Sequence, residues 1–395
     1  MVSVSGSMMQ TAALLWQVSL LAPPGRKGIA LGTVGLVRVL PIIVLSLFGG
    51  VVADSRNRRP LMLATQSVLT LLAAGLAYLT LSGRATLPMV YVFAALTAAA
   101  TAFDAPARQA LTPNLVPRSD LPNAISLMTI LFQVASVAGP SLAGIAIATR
   151  GVGFAYALNA VSFLAVIVAL AAMRDVPEPP VEERSPVTFK AAAEGLRFVF
   201  RAPLIRGSMF LDFFATFFAS ATTMLPIFVQ DVLNVGPRAY GWLYAAPAVG
   251  ALVAGLFMVG AVNKIERRGR VLFWSVAAFG LATIGFGVSR WFPLSYVCLA
   301  LTGATDTVSM VLRNIIRQLS TPDSLRGRMT SVNMVFFMGG PQLGELEAGV
   351  VAQIFSAPVS VISGGIGCVV AVAWIAARTP QLRRYRRSEA SPVTA

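Results

Sequence analysis

Residues 29–82 read IALGTVGLVRVLPIIVLSLFGGVVADSRNRRPLMLATQSVLTLLAAGLAYLTLS: two apolar runs, 29–53 and 61–82, joined by a short loop that holds Arg56, Arg58 and Arg59. Each run exceeds the roughly 20 residues a helix needs to cross the hydrocarbon core of a bilayer. Neither alternates apolar with polar residues, as a barrel strand does. Inside lipid a segment must satisfy its own backbone N–H and C=O groups, which leaves the helix as the solution. The stretch reads as helix, basic loop, helix, and it sets the pattern for the whole chain.

Further apolar runs fall at 3–21, 87–106, 124–148, 152–173, 205–229, 241–262, 271–289, 292–312, 331–355 and 358–377, bounded by charged residues, Pro or Gly. Of the 395 residues 56% are hydrophobic and 12% charged, with a mean hydropathy of +0.75; soluble domains carry about 25% charged residues. The expected fold class is all-α integral membrane, with twelve transmembrane helices in two pseudo-symmetric six-helix halves. The expected boundaries are 1–173 for the first half, 174–204 for a cytoplasmic linker, 205–377 for the second half and 378–395 for a basic cytoplasmic tail.

The formal charge of +15 belongs to topology rather than to nucleic acid, because the basic residues sit between the runs. Loops 54–60, 107–123, 174–206, 263–270, 313–330 and the tail from 378 hold 24 Lys and Arg, whereas the alternate loops hold 6. The positive-inside rule makes the richer set cytoplasmic. Both termini are then cytoplasmic, and the chain is placed in the cell inner (plasma) membrane. Several chemistries lack their residues. There is no His and no Gly-Lys dipeptide for a phosphate-binding loop, and the two cysteines, Cys298 and Cys368, stand 70 residues apart in apolar runs. No metal, cofactor or ATP is expected, and the chain is read as not an enzyme.

The longest polar stretch, Arg174 to Arg201, carries Pro177, Pro179, Pro180 and Pro186. Ser185-Pro186 has the form of a helix N-cap and first position. Beyond it Phe189, Leu196 and Phe200 share one face and Lys190, Glu194, Arg197 and Arg201 the other, the pattern of a helix lying on a membrane surface. An internal repeat supports the halving: Arg108, Pro117, Ser126, Gly139 and Gly144 return 205 residues later as Arg313, Pro322, Ser331, Gly344 and Gly349. Parallel six-helix repeats with a substrate site near the midplane are an established transporter plan.

The loop Gly50-Val51-Val52-Ala53-Asp54-Ser55-Arg56-Asn57-Arg58-Arg59 resembles the signature loop of the major facilitator superfamily, G-x-x-x-D-[RK]-x-G-[RK]-[RK], with Ser55 and Asn57 as departures. The resemblance implies a gating motif. In it Gly50 lets helices approach, Asp54 faces a helix N-terminus, and Arg58 and Arg59 pair with acids across the cytoplasmic gate. Gly139-Pro140-Ser141-Leu142-Ala143-Gly144 resembles the superfamily's antiporter motif, G-P-x-x-G-G, which implies export through Gly139, Pro140 and Gly144. Small residues at this spacing also form a close-packing surface. The run of motifs, with Asp104-Ala105-Pro106-Ala107-Arg108, Leu343-Gly344-Glu345 and Pro380-Gln381-Leu382-Arg383-Arg384, is similar to the enterobactin-exporter-like branch, whose members are implied to export siderophores or drugs.

A charge at mid-bilayer costs at least about 2.5–3.5 kcal/mol, so charges kept inside spans are candidates for function. Arg38 and Glu345 lie deepest and are expected to pair. Asp212 and Asp306 head the polar stripes Asp212/Thr216/Thr223 and Thr302/Asp306/Ser309/Arg313, and Asp104 is expected at the interface. Arg38, Asp212, Asp306 and Glu345 are the candidates for proton coupling or for the cargo cavity. The first run is short and polar with no basic residue ahead of it, and Ser3 to Ser7 resembles the middle of the family's first helix, so that helix is expected to be truncated. The expected function is secondary active export of an amphipathic, siderophore-like small molecule by alternating access, with protons exchanged in antiport. The expected working unit is a monomer in the lipid bilayer. The alternatives are a multidrug or macrolide-type efflux pump of the same fold, an uptake symporter, and a transport-inactive membrane protein.

Overall fold

The computed structural model describes residues 1–55, 58–117, 119–173, 196–218 and 221–387, and among these it contains helices and no strand. The first six apolar runs form α1 (Val2–Leu21), α2 (Lys27–Ser55), α3 (Arg58–Leu81), α4 (Leu87–Leu115), α5 (Leu121–Arg150) and α6 (Val152–Ala172). The later runs form α7 (Pro203–Phe218), α8 (Pro237–Ala261), α9 (Arg268–Val288), α10 (Phe292–Leu319), α11 (Asp323–Ile354) and α12 (Ala357–Arg378), followed by the short α13 (Pro380–Arg384). Ten of these, α2 to α10 and α12, are long and apolar enough to cross a membrane, α7 together with its irregular continuation to Val232. Pro stands in the first turn of α4, α5, α10 and α12, where the N–H it lacks has no helical partner to lose. Leu71, Phe257, Val259 and Trp274 are each more than 70% exposed; such apolar surface suits a lipid surrounding.

The chain divides into two compact units, one of Met1–Glu183 with Leu225–Ala245 and one of Arg184–Met224 with Ala246–Ala395. In the first unit α1 packs on α5 and α6, α3 packs on α4 and α6, and α2 packs on α4. In the second α7 packs on α11 and α12, and α9 packs on α10 and α12. Each of these second-unit pairs is a first-unit pair shifted by six helices. In the second unit Leu211, Leu272, Val276, Leu312, Ile316, Cys368 and Ile375 share one core.

Two features differ from the sequence expectation. The run 292–312 predicts a loop from residue 313, but α10 continues to Leu319 and buries Arg313 and Arg317. Two of the charges assigned to loops therefore lie inside the fold, because acids packed beside them neutralise them. Within the basic tail, Leu382 and Tyr385 are buried in the core that holds Leu272 and Ile375. The linker positions Pro177, Pro179, Pro180, Ser185, Pro186, Phe189, Lys190 and Glu194 lie outside the described residues. Residues 196–201 are helical, with Leu196 and Phe200 exposed and Val199 buried against Ile205 and Met329.

Candidate functional site

In the second unit, α7 and α10 bring four charges together. Asp212 Oδ1 lies 3.0 Å from Arg313 Nη2, and Asp212 Oδ2 lies 3.2 Å from Arg317 Nη2. The same Arg313 nitrogen is 3.3 Å from Asp306 Oδ1, and the Asp306 side chain is 45% exposed while the other three charges are buried. Two acids face two guanidiniums, so the group is neutral as a whole. Its geometry follows from helical periodicity: Asp306, Arg313 and Arg317 are separated by seven and four residues and stand on one face of α10. Arg317 is fully engaged. Its Nε and Nη2 donate to Ser208 Oγ and Ser208 O, both at 3.0 Å, and its Nη1 donates to Asn333 Oδ1 of α11. Arg313 is only partly engaged: its Nε and Nη1 are buried with no hydrogen-bond acceptor among the described residues.

Sequence reading placed Asp212 and Asp306 at the heads of two separate stripes. The fold makes them one site, joined by Arg313, and adds Ser208, Arg317 and Asn333, which that reading missed. A signal was present, because Arg317 continues the Thr302/Asp306/Ser309/Arg313 stripe at helical spacing. Asp104, expected at the interface, is buried among side chains, 3% exposed. It accepts from Thr65 Oγ1 at 2.9 Å, Gln66 Nε2 at 2.8 Å and Arg108 Nη2 at 2.7 Å, so it fastens α3 to α4. Arg108 and Arg313 are counterparts in the 205-residue repeat, and each grips a buried aspartate.

The glycine motif sits in the first unit, where α5 meets two neighbours. A Cβ on Gly139 would stand 2.6 Å from Ser5 O and Met8 Cβ of α1. One on Gly144 would stand 2.7 Å from Pro237 O and 2.8 Å from Gly241 Cα of α8. A Cβ on Gly241 would in turn stand 2.6 Å from the carbonyl oxygen of Pro140. Backbone thus touches backbone on two sides of α5, a contact that only glycine permits. Polar links lie within the same unit: Lys27 Nζ of α2 lies 2.9 Å from Asp231 Oδ1, Gln230 Nε2 donates to Ser19 Oγ of α1 at 2.8 Å, and Tyr240 OH of α8 donates to Ala12 O of α1 at 2.8 Å.

In the loop motif, the surroundings of Gly50 and the side chains of Asp54 and Arg58 lie outside what the structure describes. Arg59 donates Nε to Leu170 O at 2.8 Å and Nη2 to Ala171 O at 2.9 Å. It thereby covers carbonyls that the C-terminal turn of α6 leaves open. Arg38 is half-buried on α2 in the first unit, and Glu345 is half-buried on α11 in the second.

The family described as Transmembrane secretion effector, MFS_3, matches residues 1–393. The chain belongs to the major facilitator superfamily. Among the relatives of this transporter, Enterobactin exporter EntS of Shigella boydii serotype 18 is 27% identical over 340 residues, covering 86% of this chain and 81% of the relative. Enterobactin exporter EntS of Escherichia coli O1:K1 / APEC has the same identity and coverage. Solved structures share the fold. A bacterial homologue of the human lysosomal transporter Spinster gives a TM-score of 0.73 at 13% identity over 97% of both chains. A bacterial homologue of the iron transporter ferroportin gives 0.70 at 15% identity, over 97% of this chain and 96% of its own. The D-xylose-proton symporter gives 0.72 at 11% identity, over 97% and 98%. The protein is a multi-pass membrane transporter for a small-molecule substrate and not an enzyme.

Proposed function

We propose that this transporter is a secondary active exporter of an amphipathic, siderophore-like small molecule, working by alternating access and exchanging cargo for protons. The observation that carries the reading is the neutral network of buried Asp212, Arg313 and Arg317 with the half-exposed Asp306, in which one arginine keeps unused donors. An anionic group of the cargo, taken by Arg313 Nε and Nη1, competes with Asp212 and Asp306 for the same guanidinium. An acid left buried without its cation is neutralised by a proton rather than kept charged. At this network an anionic cargo and a charge-neutralising proton therefore bind together, and the proton exchanged against cargo in antiport is carried by a separate acid. Glu345, with Arg38 as its expected partner, is the other candidate proton carrier.

Twelve spans in two six-helix halves, an inner-membrane location with both termini cytoplasmic, and a monomer as the working unit complete the reading. The recurrence of helix pairs at a shift of six supports the halves, and the basic loops support the orientation. The relation to proteins named as enterobactin exporters favours a siderophore-like cargo, and Arg313 favours an anionic one. The deciding experiment compares accumulation of a catecholate siderophore and of a cationic dye in cells with and without the gene, each with and without a protonophore. Protonophore-sensitive lowering of the siderophore alone is expected. Lowering of the dye alone makes the protein a drug pump, and protonophore-insensitive export removes the proton.

A further inference from the structure

We propose that the cleft between the start of α9, the end of α12 and α13 binds the phosphate of an anionic phospholipid, whose acyl chain runs along α9 past Trp274. The cleft exists because the tail is packed down. Leu382 and Tyr385 are buried in the core with Leu272 and Val372. Gly269 N donates to Tyr385 O at 3.1 Å, and Arg387 N donates to Glu266 O at 2.9 Å. A Cβ on Gly269 would stand 1.9 Å from Leu382 O, so glycine is what lets the tail lie against the first turn of α9. The basic residues of this tail are therefore held in place rather than spread through solvent.

What they surround is amphipathic. One cavity of about 550 Å³ is lined by Arg270, Arg383 and Arg384 at one end and by Phe273, Trp274, Ala277 and Val372 at the other. A second, of about 290 Å³, is lined by Arg267, Arg270, Arg383, Arg384 and Arg386. Three arginines are common to both, and no acid lines either among the described residues. So dense a set of permanent cations, with forked donors that match phosphate oxygens, calls for a phosphate-like anion. The apolar end decides which kind. Arg270, Phe273, Trp274 and Ala277 follow one another down a single face of α9, over about 10 Å at 1.5 Å per residue. A soluble anion has no use for that stripe, whereas a lipid places its headgroup on the arginines and its chain on the stripe. Trp274, 72% exposed, stands just past the arginines, where tryptophan suits the boundary between headgroups and hydrocarbon.

The test uses the purified full chain in neutral detergent, with bound molecules counted by native mass spectrometry. The probes are phosphatidylglycerol, phosphatidylcholine and glycerol 3-phosphate. Retention of phosphatidylglycerol well above the other two is expected, falling roughly a hundredfold in R270Q/R383Q/R384Q as three near-surface arginines are lost. The matching Arg→Lys triple variant keeps the charge but loses the forked donors and is expected to retain lipid between the Gln variant and the wild type. Should the Gln variant fail to fold, Trp274→Ala leaves the arginines intact and is expected to weaken phosphatidylglycerol without changing glycerol 3-phosphate. Equal retention of the two lipids overturns the proposal. So does displacement of phosphatidylglycerol by an equal concentration of glycerol 3-phosphate, or undiminished lipid in the Gln variant.

Discussion

Asp212→Asn keeps the shape of the side chain and removes the one acid that stands between Arg313, at 3.0 Å, and Arg317, at 3.2 Å. The wild-type network balances two acids against two arginines. The variant leaves an excess positive charge, with Asp306, half in solvent, as the acid still in reach. Removing one partner of a buried ion pair costs about 3–5 kcal/mol. At roughly 2–4 °C per kcal/mol for a unit of this size, the expected fall in Tm is about 6–20 °C. The protein carries its own reporter: Cys298 and Cys368 are buried, so a thiol-reactive dye reads their exposure as the fold opens. D212N/R313Q removes the excess charge again. Arg313 suits that role because, unlike Arg317, it bonds only to the two acids among the described residues. The double variant is expected to be more stable than D212N alone, with a coupling of about 1–3 kcal/mol in the double-mutant cycle. A D212N midpoint within about 2 °C of wild type, or a double variant no better than the single, refutes charge balance as the organising force.

Three further outcomes are expected. Gly144→Ala drives a methyl into the backbone of α8 and costs about 1–3 kcal/mol by overpacking, whereas Gly255→Ala, with nothing within 4 Å of its Cβ, leaves Tm unchanged or slightly raised; equal effects of the two on the dye-monitored midpoint discard the close-contact argument. Glu345→Gln is expected to leave the protein inserted and to abolish proton-driven efflux; efflux at the wild-type rate with unchanged protonophore sensitivity strikes Glu345 from the mechanism and leaves Asp212 and Asp306. Arg197→Cys, exposed in the helical turn before α7, is expected to react with an impermeant thiol reagent in inverted vesicles only, against the quiet background of two buried native cysteines; reaction in intact cells reverses the orientation.

The helices were legible because a lipid-facing helix has to be apolar along its length, and α1 to α12 form over the runs that hydropathy marks out. The glycines of α5 were legible for a similar reason: small residues at helical spacing have few uses besides close contact. Where the reading failed, the deciding partner lay far off in sequence. Arg317 looks like part of a loop until Asp212, 105 residues before it, is folded against it. The partners of Asp104 were hidden in the same way, since Thr65 and Gln66, 39 and 38 residues earlier, supply its hydrogen bonds. In the tail, Leu382 and Tyr385 stand among arginines that hide their apolar character from any averaged measure. Hydropathy sums over neighbours in the chain, while burial depends on neighbours in space.

The contact of Gly144 with Gly241 sets a limit on how this protein can change. Most tight packing tolerates drift, since a group gained on one side can be offset by a group lost on the other. Here both sides already carry the smallest side chain there is, with Cα of each about 2.8 Å from where the other's Cβ would stand. A methyl gained at either position has no partner residue left to shrink. The two sites can vary only if the helices themselves move apart, and Pro140 and Pro237, whose carbonyl oxygens crowd the same crossing, are drawn into that constraint. Selection is thus free to rework looser parts of the protein but has no stepwise path through this crossing.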